Sequence, residues 1–196
     1  MAYKEMKGED RMLKRVTTEQ DLAYYNFIWM TAWREKGYDF EFSPSVLERW
    51  LVLTPEGQPV GTAEFKPFLP GVSAFETVAD MSRMPELVSD RRKVAEIDKY
   101  AVLPEHRGKY VDDLVAAAVL VAREHGIRWF VTLLEPLFCR AIKILYHPPM
   151  TQLGPKTFYK GDDVIPVVMD VRDVVAHPEK YNIKLPPVLT AVGGAC

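Results

Sequence analysis

Two carboxylates at alternate positions, Glu96 and Asp98, stand out in the stretch EIDKYAVLPEHRGKYVDDL, which reads as a strand, a turn and a helix. Carboxylates can serve as general bases, and this spacing predicts that both lie on one face of a strand. That face would also carry Tyr100 and Val102, and the opposite face would carry Ala95, Ile97, Lys99 and Ala101. Buried carboxylates need partners, so pairing with a nearby Arg or Lys is the structural alternative to a catalytic role.

The turn after this strand contains Arg107, Gly108 and Lys109, directly before a predicted helix at residues 109–125. The N–H groups and the positive dipole end of a helix N-terminus favour an anion, and glycine lets the backbone approach it closely. The turn therefore predicts a phosphate site. A strand-to-helix turn with solvated basic side chains is the alternative.

The composition is that of an ordinary globular chain of 196 residues, with 48% hydrophobic and 27% charged residues. A net charge of −2 argues against a general nucleic-acid binder. Cys139 and Cys196 are too few for a disulfide framework, and no His/Cys cluster has metal-ligand spacing, so no metal is expected. The charged segment 1–11, expected to be frayed, is unlike a signal peptide, and apolar runs stay below about 18 residues. A cytoplasmic protein without a membrane span is therefore expected.

Hydrophobic periodicity predicts an alternation of strands and helices around the Glu96 strand. The strands are expected at residues 12–16, 50–54, 60–65, 94–102, 127–133 and 164–169, and the main helices after the capping-box pattern of residues 17–20 and at 109–125 and 136–146. This order predicts an α/β (α+β) fold in which a mixed sheet carries helices on its faces.

Residues 102–112 resemble the central motif of the GNAT superfamily of N-acetyltransferases, in which a strand ends in Val-x-Pro and Arg-Gly precedes a helix. The strand EIDKYAV and the flanking segments 49–63 and 153–170 are most similar to acyl-homoserine-lactone synthases and N-acyl amino acid synthases. The resemblance covers residues 12–172 and leaves residues 173–196 as a tail packed on the surface. It implies a centrally splayed sheet of six or seven strands flanked by about four helices.

The resemblance also implies an N-acyltransferase that uses an acyl-CoA or acyl carrier protein thioester as co-substrate and a small-molecule amine as acceptor. Glu96 is the candidate base, Asp98 the reserve candidate, and Tyr146 the acid that protonates the departing sulfur. The N–H groups of the splayed strand near Tyr100 and Val102 would bind the acyl carbonyl and the pantetheine arm. The donor phosphates would contact Arg107, Gly108, Lys109, Tyr110, Val111 and Asp112.

Tyr110 and Asp112 depart from the motif because the superfamily favours small residues at these positions. An aspartate early in a helix satisfies the helix dipole without any ligand, so a non-catalytic acyl-thioester sensor stays open as an alternative. A carrier protein as donor stays open too, because the turn would have to bind only its single phosphate instead of the several phosphates of coenzyme A. The narrower alternative is an acyl-homoserine-lactone or long-chain N-acyl amino acid synthase that uses acyl carrier protein.

The first helix is rich in aromatic residues, among them Trp29 and Trp33. These side chains could line a tunnel for an acyl chain, as the long-chain branch suggests. Packing in the core is the alternative for each of them.

Overall fold

The computed structural model describes residues 12–189, which form one mixed sheet with helices on both faces. The helices are α1 Glu19–Lys36, α2 Glu86–Ser89, α3 Val111–His125, α4 Pro136–Tyr146 and α5 Arg172–Ala176. The strands are β1 Met12–Arg15, β2 Glu48–Leu53, β3 Pro59–Pro67, β4 Val94–Val102, β5 Trp129–Leu134, β6 Met150–Gln152, β7 Thr157–Tyr159, β8 Asp162–Asp170 and β9 Val188–Leu189.

The sheet order is β6-β8-β5-β4-β3-β2-β1-β9, with β7 paired to β8 at one side. Strands β1 to β4 are antiparallel neighbours, β4 and β5 are parallel, and β5 and β8 are antiparallel. The predicted α+β class with a mixed sheet is confirmed. Between residues 12 and 189 the sheet has nine strands rather than the predicted six or seven. Strands β6, β7 and β9 are only two or three residues long, which is too short to show a hydrophobic period in the sequence.

The centre of the sheet is splayed, as the resemblance implied. Strand β4 has nine residues, but within the described chain it pairs with β5 only from Val94 opposite Trp129 to Glu96 opposite Val131. Beyond Glu96 the two strands diverge, so one edge of β4 faces an opening instead of a neighbouring strand.

A β-bulge interrupts β4 at Lys99, whose φ of 48° lies in the left-handed region. The pairing with β3 passes from Glu64 opposite Asp98 to Thr62 opposite Ala101, so β4 has one residue more than β3 here. The prediction of which residues share a face is therefore wrong beyond Asp98. Tyr100 and Val102 lie on the face opposite Glu96, and Lys99 lies on the same face as Glu96.

Each face of the sheet carries its own core. On one face, α3 packs on β1, β2 and β3, and its Leu114 and Ala117 belong to a cluster with Trp50 and Phe65. On the other face, α1 packs on β2, β3 and β4, with Trp29 among its buried residues. The two cores are separated only by the sheet, so β2 and β4 contribute side chains to both.

The segment after β8 returns to the first strand. Val174 of α5 and Ile183 are buried in the α3-side core, and β9 pairs in parallel with β1. The expected frayed segment 1–11 lies outside the described residues, as do residues 190–196. No helix between residues 12 and 189 is long and apolar enough to cross a membrane.

The start of α1 is a capping box, one residue later than the sequence pattern indicated. Thr18 is the N-cap, its Oγ1 accepts the N–H of Asp21 at 3.1 Å, and the Asp21 carboxylate accepts the N–H of Thr18 at 3.3 Å. Asp21, rather than Gln20, completes the box because Lys14 of β1 holds its carboxylate at 2.6 Å.

We expect Thr18→Ala to lower the free energy of unfolding by about 1 kcal/mol, because the N–H of Asp21 loses its acceptor. Urea denaturation followed by circular dichroism measures this change. Thr17→Ala is the matched control and should stay within about 0.5 kcal/mol of the parent, as surface substitutions usually do. Equal losses in the two variants would place the cap at the wrong threonine.

Candidate active site

Glu96 lies on β4 at the last position where β4 still pairs with β5, and only 5% of the residue is exposed. Its Oε2 accepts a hydrogen bond from the Ser73 hydroxyl at 2.6 Å, and its Oε1 lies 3.6 Å from the Lys66 ammonium. Burial raises the pKa of Glu96 above its ordinary value, and Asp98 adds to this rise while Lys66 and Ser73 oppose it. A carboxyl with a raised pKa is suited to accept a proton near neutral pH.

Asp98, the reserve candidate, has different surroundings although it lies only two residues away. Its carboxylate accepts from Lys66 at 2.9 Å, from the Lys99 ammonium at 3.1 Å and from the Lys99 backbone N–H at 2.8 Å. Burial alone would raise the pKa of Asp98, but the two lysines outweigh burial and hold the pKa below its ordinary value. Asp98 is therefore a stable anion, and Glu96 is the better candidate base.

Glu64 of β3 is a third carboxylate beside this pair, and the sequence analysis did not identify it. It is fully buried and accepts from Lys99 at 2.8 Å, Arg49 at 2.6 Å and the Tyr25 hydroxyl at 3.0 Å. Burial would raise the pKa of Glu64, but Lys99 and its other donors lower it. The alternation of Glu64 and Lys66 on β3, opposite β4, is the sequence signal that points to this network.

The aromatic residues of α1 surround the charged network rather than an acyl tunnel. The Lys99 ammonium lies 5.4 Å from the ring centroid of Trp29 and 5.7 Å from that of Trp33. Phe40 and Phe42 meet the Trp29 ring edge to face. The Lys99 ammonium thus lies between carboxylates and aromatic faces.

An apolar cavity of about 60 Å³ lies on the opposite face of the sheet, beneath α3 and α4. Its lining is almost entirely apolar and includes Ile97, Tyr100, Val119, Phe130, Ile142 and Tyr146. Tyr100 is anchored there because its hydroxyl donates to the carbonyl oxygen of Leu114 at 2.8 Å. Because β4 and β5 diverge above this cavity, the cavity lies beside the opening in the sheet.

Tyr146, the candidate acid, is buried at the end of α4 with 2% of the residue exposed. Its hydroxyl donates to Oδ1 of Asp112 in the first turn of α3. The structure thus brings Tyr146 and Tyr100 together at the cavity, on the face opposite Glu96 and Asp98. The carboxylates Glu96 and Asp98 are therefore separated from the two tyrosines by the sheet, and the opening between β4 and β5 is what connects the two faces.

The turn between β4 and α3 positions the remaining predicted residues. Gly108 has a φ of 77°, which favours glycine, and Lys109 is exposed. Helix α3 begins at Val111 rather than Lys109, with Tyr110 as its N-cap. Tyr110 is buried in the α3-side core, whereas Val102, Val111 and Asp112 are half-buried.

Arg107, predicted to contact phosphate, is bound to a carboxylate of the protein. Its guanidinium donates to both oxygens of Glu35, at 3.0 and 2.8 Å. Glu35 lies in the last turn of α1, so this pair links the turn to the helix on the other face. A phosphate that bound Arg107 would have to compete with Glu35.

Within residues 12–189, one group of side chains could in principle meet around a metal ion: Glu48, Glu124 and His125. Arg15 forms ion pairs with both glutamates, and His125 lies 2.6 Å from Glu48. These contacts make the group an ion-pair cluster. It lies at the C-terminal end of α3, whereas the candidate donor site lies at the N-terminal end.

The splayed sheet, the buried carboxyl of Glu96 and the glycine turn before α3 are the features of an acyltransferase of the GNAT type. The chain belongs to the Acetyltransferase (GNAT) family, whose sequence model matches residues 13–142. A search of curated protein sequences finds no significant match. The resemblance described in the sequence analysis is confirmed.

Among solved structures, the chain is similar to FeeM, an N-acyl amino acid synthase from uncultured soil microbes, with a TM-score of 0.66 and 16% identity over 82% of this chain and 91% of FeeM. It is similar to TofI, solved with an inhibitor and MTA, with a TM-score of 0.65 and 14% identity over 89% of this chain and 97% of TofI. It is also similar to MesI, a CoA-dependent acyl-homoserine lactone synthase, with a TM-score of 0.57 and 17% identity over 92% of this chain and 100% of MesI. At these identities the likeness is one of fold.

The hydrogen bond from Ser73 to Glu96 predicts a measurable shift. We expect Ser73→Ala to raise the pKa of Glu96 further, because the bond that favours the ionised carboxylate is lost. Carbon-13 NMR titration of the glutamate carboxyl groups measures this pKa. Ser89→Ala is the matched control, because the Ser89 hydroxyl donates to the carbonyl of Glu86 on the surface. An unchanged Glu96 titration in Ser73→Ala would contradict the assigned contact.

Proposed function

We propose that this protein is an N-acyltransferase that moves an acyl group from a pantetheine thioester to a small-molecule amine. The observation that carries the proposal is Glu96, a buried carboxyl with a raised pKa at the point where the sheet opens. Buried carboxyls with perturbed pKa values at an opening are typical of catalytic bases. Membership of the GNAT family supports the same class of reaction.

In the proposed reaction, Glu96 accepts a proton from the acceptor amine, directly or through a water molecule. The amine nitrogen then forms a bond to the thioester carbonyl carbon, and the carbonyl oxygen takes up the negative charge of the tetrahedral intermediate. Backbone N–H groups of β4 beyond Glu96, near Tyr100 and Val102, stabilise that oxygen. When the carbon–sulfur bond breaks, Tyr146 gives its proton to the departing thiolate.

The apolar cavity supports an acyl chain rather than a bare acetyl group as the transferred unit. Its lining offers hydrophobic contact and almost no polar partner, so it suits methylene groups. FeeM and MesI, whose folds this chain shares, are synthases of acylated amino acids and acyl-homoserine lactones. An acyl-homoserine-lactone or N-acyl amino acid synthase that uses acyl carrier protein is therefore the narrower candidate.

A non-catalytic acyl-thioester sensor is the second candidate, and the altered turn residues Tyr110 and Asp112 favour it. The charged network around Glu96 argues against a sensor. A sensor has no need of a buried carboxyl whose pKa is raised beside a second carboxyl whose pKa is lowered. We place the catalytic unit at residues 12–172, with the following segment supporting it.

The base assignment predicts how two carboxylate variants differ. Glu96→Gln keeps the shape of the side chain and removes its titration, so turnover should fall by about a hundredfold to ten-thousandfold while the donor still binds. In the parent the rate should fall as the pH drops through the raised pKa of Glu96, since only the ionised carboxylate accepts a proton. Steady-state rates against pH, with acyl-thioester donors and a panel of amines, measure both effects.

Asp98→Asn is the matched control for this test. It should retain the acid limb but move it to lower pH, because Glu96 loses a negative neighbour and Lys66 is left to pair with Glu96 alone. If Asp98→Asn abolished the acid limb and Glu96→Gln retained it, the roles would be reversed. If neither variant changed the rate and no amine were consumed, the sensor would be the correct assignment.

The cavity predicts a dependence on acyl chain length. Ala118 lines the cavity from α3, so Ala118→Leu should fill part of it and weaken binding of octanoyl thioesters while acetyl thioesters bind as before. Isothermal titration calorimetry with donors of increasing chain length measures the cut-off. Ala23→Leu, at an exposed position of α1, is the control and should leave the cut-off unchanged. Equal loss for acetyl and octanoyl donors would place the acyl chain elsewhere.

A further inference from the structure

The C-terminal part of the described chain forms one wall of the apolar cavity. Val171 and Val174 line the cavity from the start of α5, and Ile183 lines it from the segment that follows this helix. All three side chains are buried in the α3-side core. The wall lies beyond residues 13–142, which match the family model, so its part in the site follows from the packing of this chain alone.

This wall lies at the end of the cavity where β4 and β5 are still paired. The N–H of Val171 donates to the carbonyl oxygen of Arg128 at 2.9 Å, directly before the paired part of β5. Residues Pro178–Tyr181 pack against α5, and the N–H of Ile183 donates to the carbonyl oxygen of Pro178 at 3.0 Å. Ile183 is therefore fixed to the same end of the cavity as Val171.

Other lining residues mark the opposite end, at the opening in the sheet. Tyr100 and Thr132 line the cavity, and each follows the last paired residue of its strand. An acyl chain that enters between β4 and β5 passes these two residues first and directs its terminal methyl group at Ile183. The cavity volume is about 60 Å³, less than half of the roughly 150 Å³ that accommodate a benzene ring, so the wall limits the chain directly.

Contacts with two other elements hold the wall in place. The Nδ2 group of Asn182 donates to the carbonyl oxygen of Leu145 in α4 at 3.1 Å. Asn182 has a φ of 57°, a left-handed conformation that asparagine adopts more readily than most residues. Further along the chain, the N–H of Leu13 on β1 donates to the carbonyl oxygen of Pro187 at 3.2 Å. Ile183 lies between these two anchors, so its side chain is held at the cavity from both sides.

We infer that Ile183 is the specificity-determining residue that sets the length of the acyl chain. Its side chain closes the cavity at the point where the terminal methyl group of the chain comes to rest. The C-terminal segment selects the acyl group in this way and takes no part in bond making or breaking. The inference rests on the proposed function, because it assigns the selection of acyl length at the same site.

Binding of a series of donors tests this assignment without knowledge of the acceptor amine. Thioesters from butanoyl to dodecanoyl, both of coenzyme A and of 4′-phosphopantetheine, are titrated calorimetrically into the full chain. In the parent, affinity should rise by about fourfold for each methylene group that becomes buried, and the rise should stop where the chain meets the wall. The length at which the rise stops is the cut-off.

Two variants of Ile183 should move this cut-off to longer chains. Ile183→Ala should tighten the first thioester beyond the parental cut-off by about tenfold, because the shortened side chain leaves room for about two more methylene groups. Ile183→Val removes one methyl group and should tighten the same thioester by about fourfold. It disturbs the core less than Ile183→Ala does, so it decides the question if Ile183→Ala fails to fold.

Ile127→Ala and Ile127→Val are the matched controls. Ile127 is 7% exposed against 6% for Ile183 and belongs to the same core, but it lies outside the cavity lining. Both controls should lower stability and leave the cut-off unchanged. An unchanged cut-off in the Ile183 variants, or an equal shift in the Ile127 variants, would overturn the inference while the proposed function stood. If the parent bound no thioester of any length, the proposed function itself would fail.

Discussion

The ion pair between Lys99 and Glu64 is the contact on which the arrangement of the site depends. The two side chains are 2% and 0% exposed and lie 2.8 Å apart, so loss of either partner would leave the other buried with a single remaining ion pair, to Arg49 for Glu64 or to Asp98 for Lys99. The pair exists only because the bulge at Lys99 rotates this side chain onto the Glu96 face of β4. The same bulge rotates Tyr100 to the other face. One backbone irregularity thus sets the cation on the polar side and the aromatic ring on the apolar side.

The two faces of the sheet consequently hold different parts of the site, the charged groups on one face and the apolar cavity on the other. Ionised groups under α1 control the protonation of Glu96, whereas the cavity under α3 and α4 excludes polar contacts. A continuous sheet would isolate these two environments from each other. The divergence of β4 and β5 after Glu96 connects them, since it opens the sheet between the carboxylate and the cavity.

The sequence predicted the class of fold and the pair Glu96 and Asp98, because periodicity and a glycine turn are local signals. It failed to predict the bulge at Lys99, since a lysine with a positive φ has no local signature and is held there by contacts with Glu64 and Trp29. Every face assignment beyond Asp98 was reversed for that reason. The sequence did not predict the role of Ser73 either, because its loop has no hydrophobic periodicity and Ser73 reaches Glu96 only through tertiary packing.

Charge balance sets how far burial can raise the pKa of Glu96. Arg49, Lys66 and Lys99 face Glu64, Glu96 and Asp98, so the network is neutral when Glu96 is ionised and carries one positive charge when it is protonated. Burial favours the protonated carboxyl, whereas the uncompensated charge left on Lys66 disfavours it. Lys66 lies closer to Asp98 than to Glu96, at 2.9 Å against 3.6 Å, and Lys99 contacts Asp98 as well, so burial prevails at Glu96 alone. The positions of the two lysines therefore decide which of the two carboxylates can take a proton.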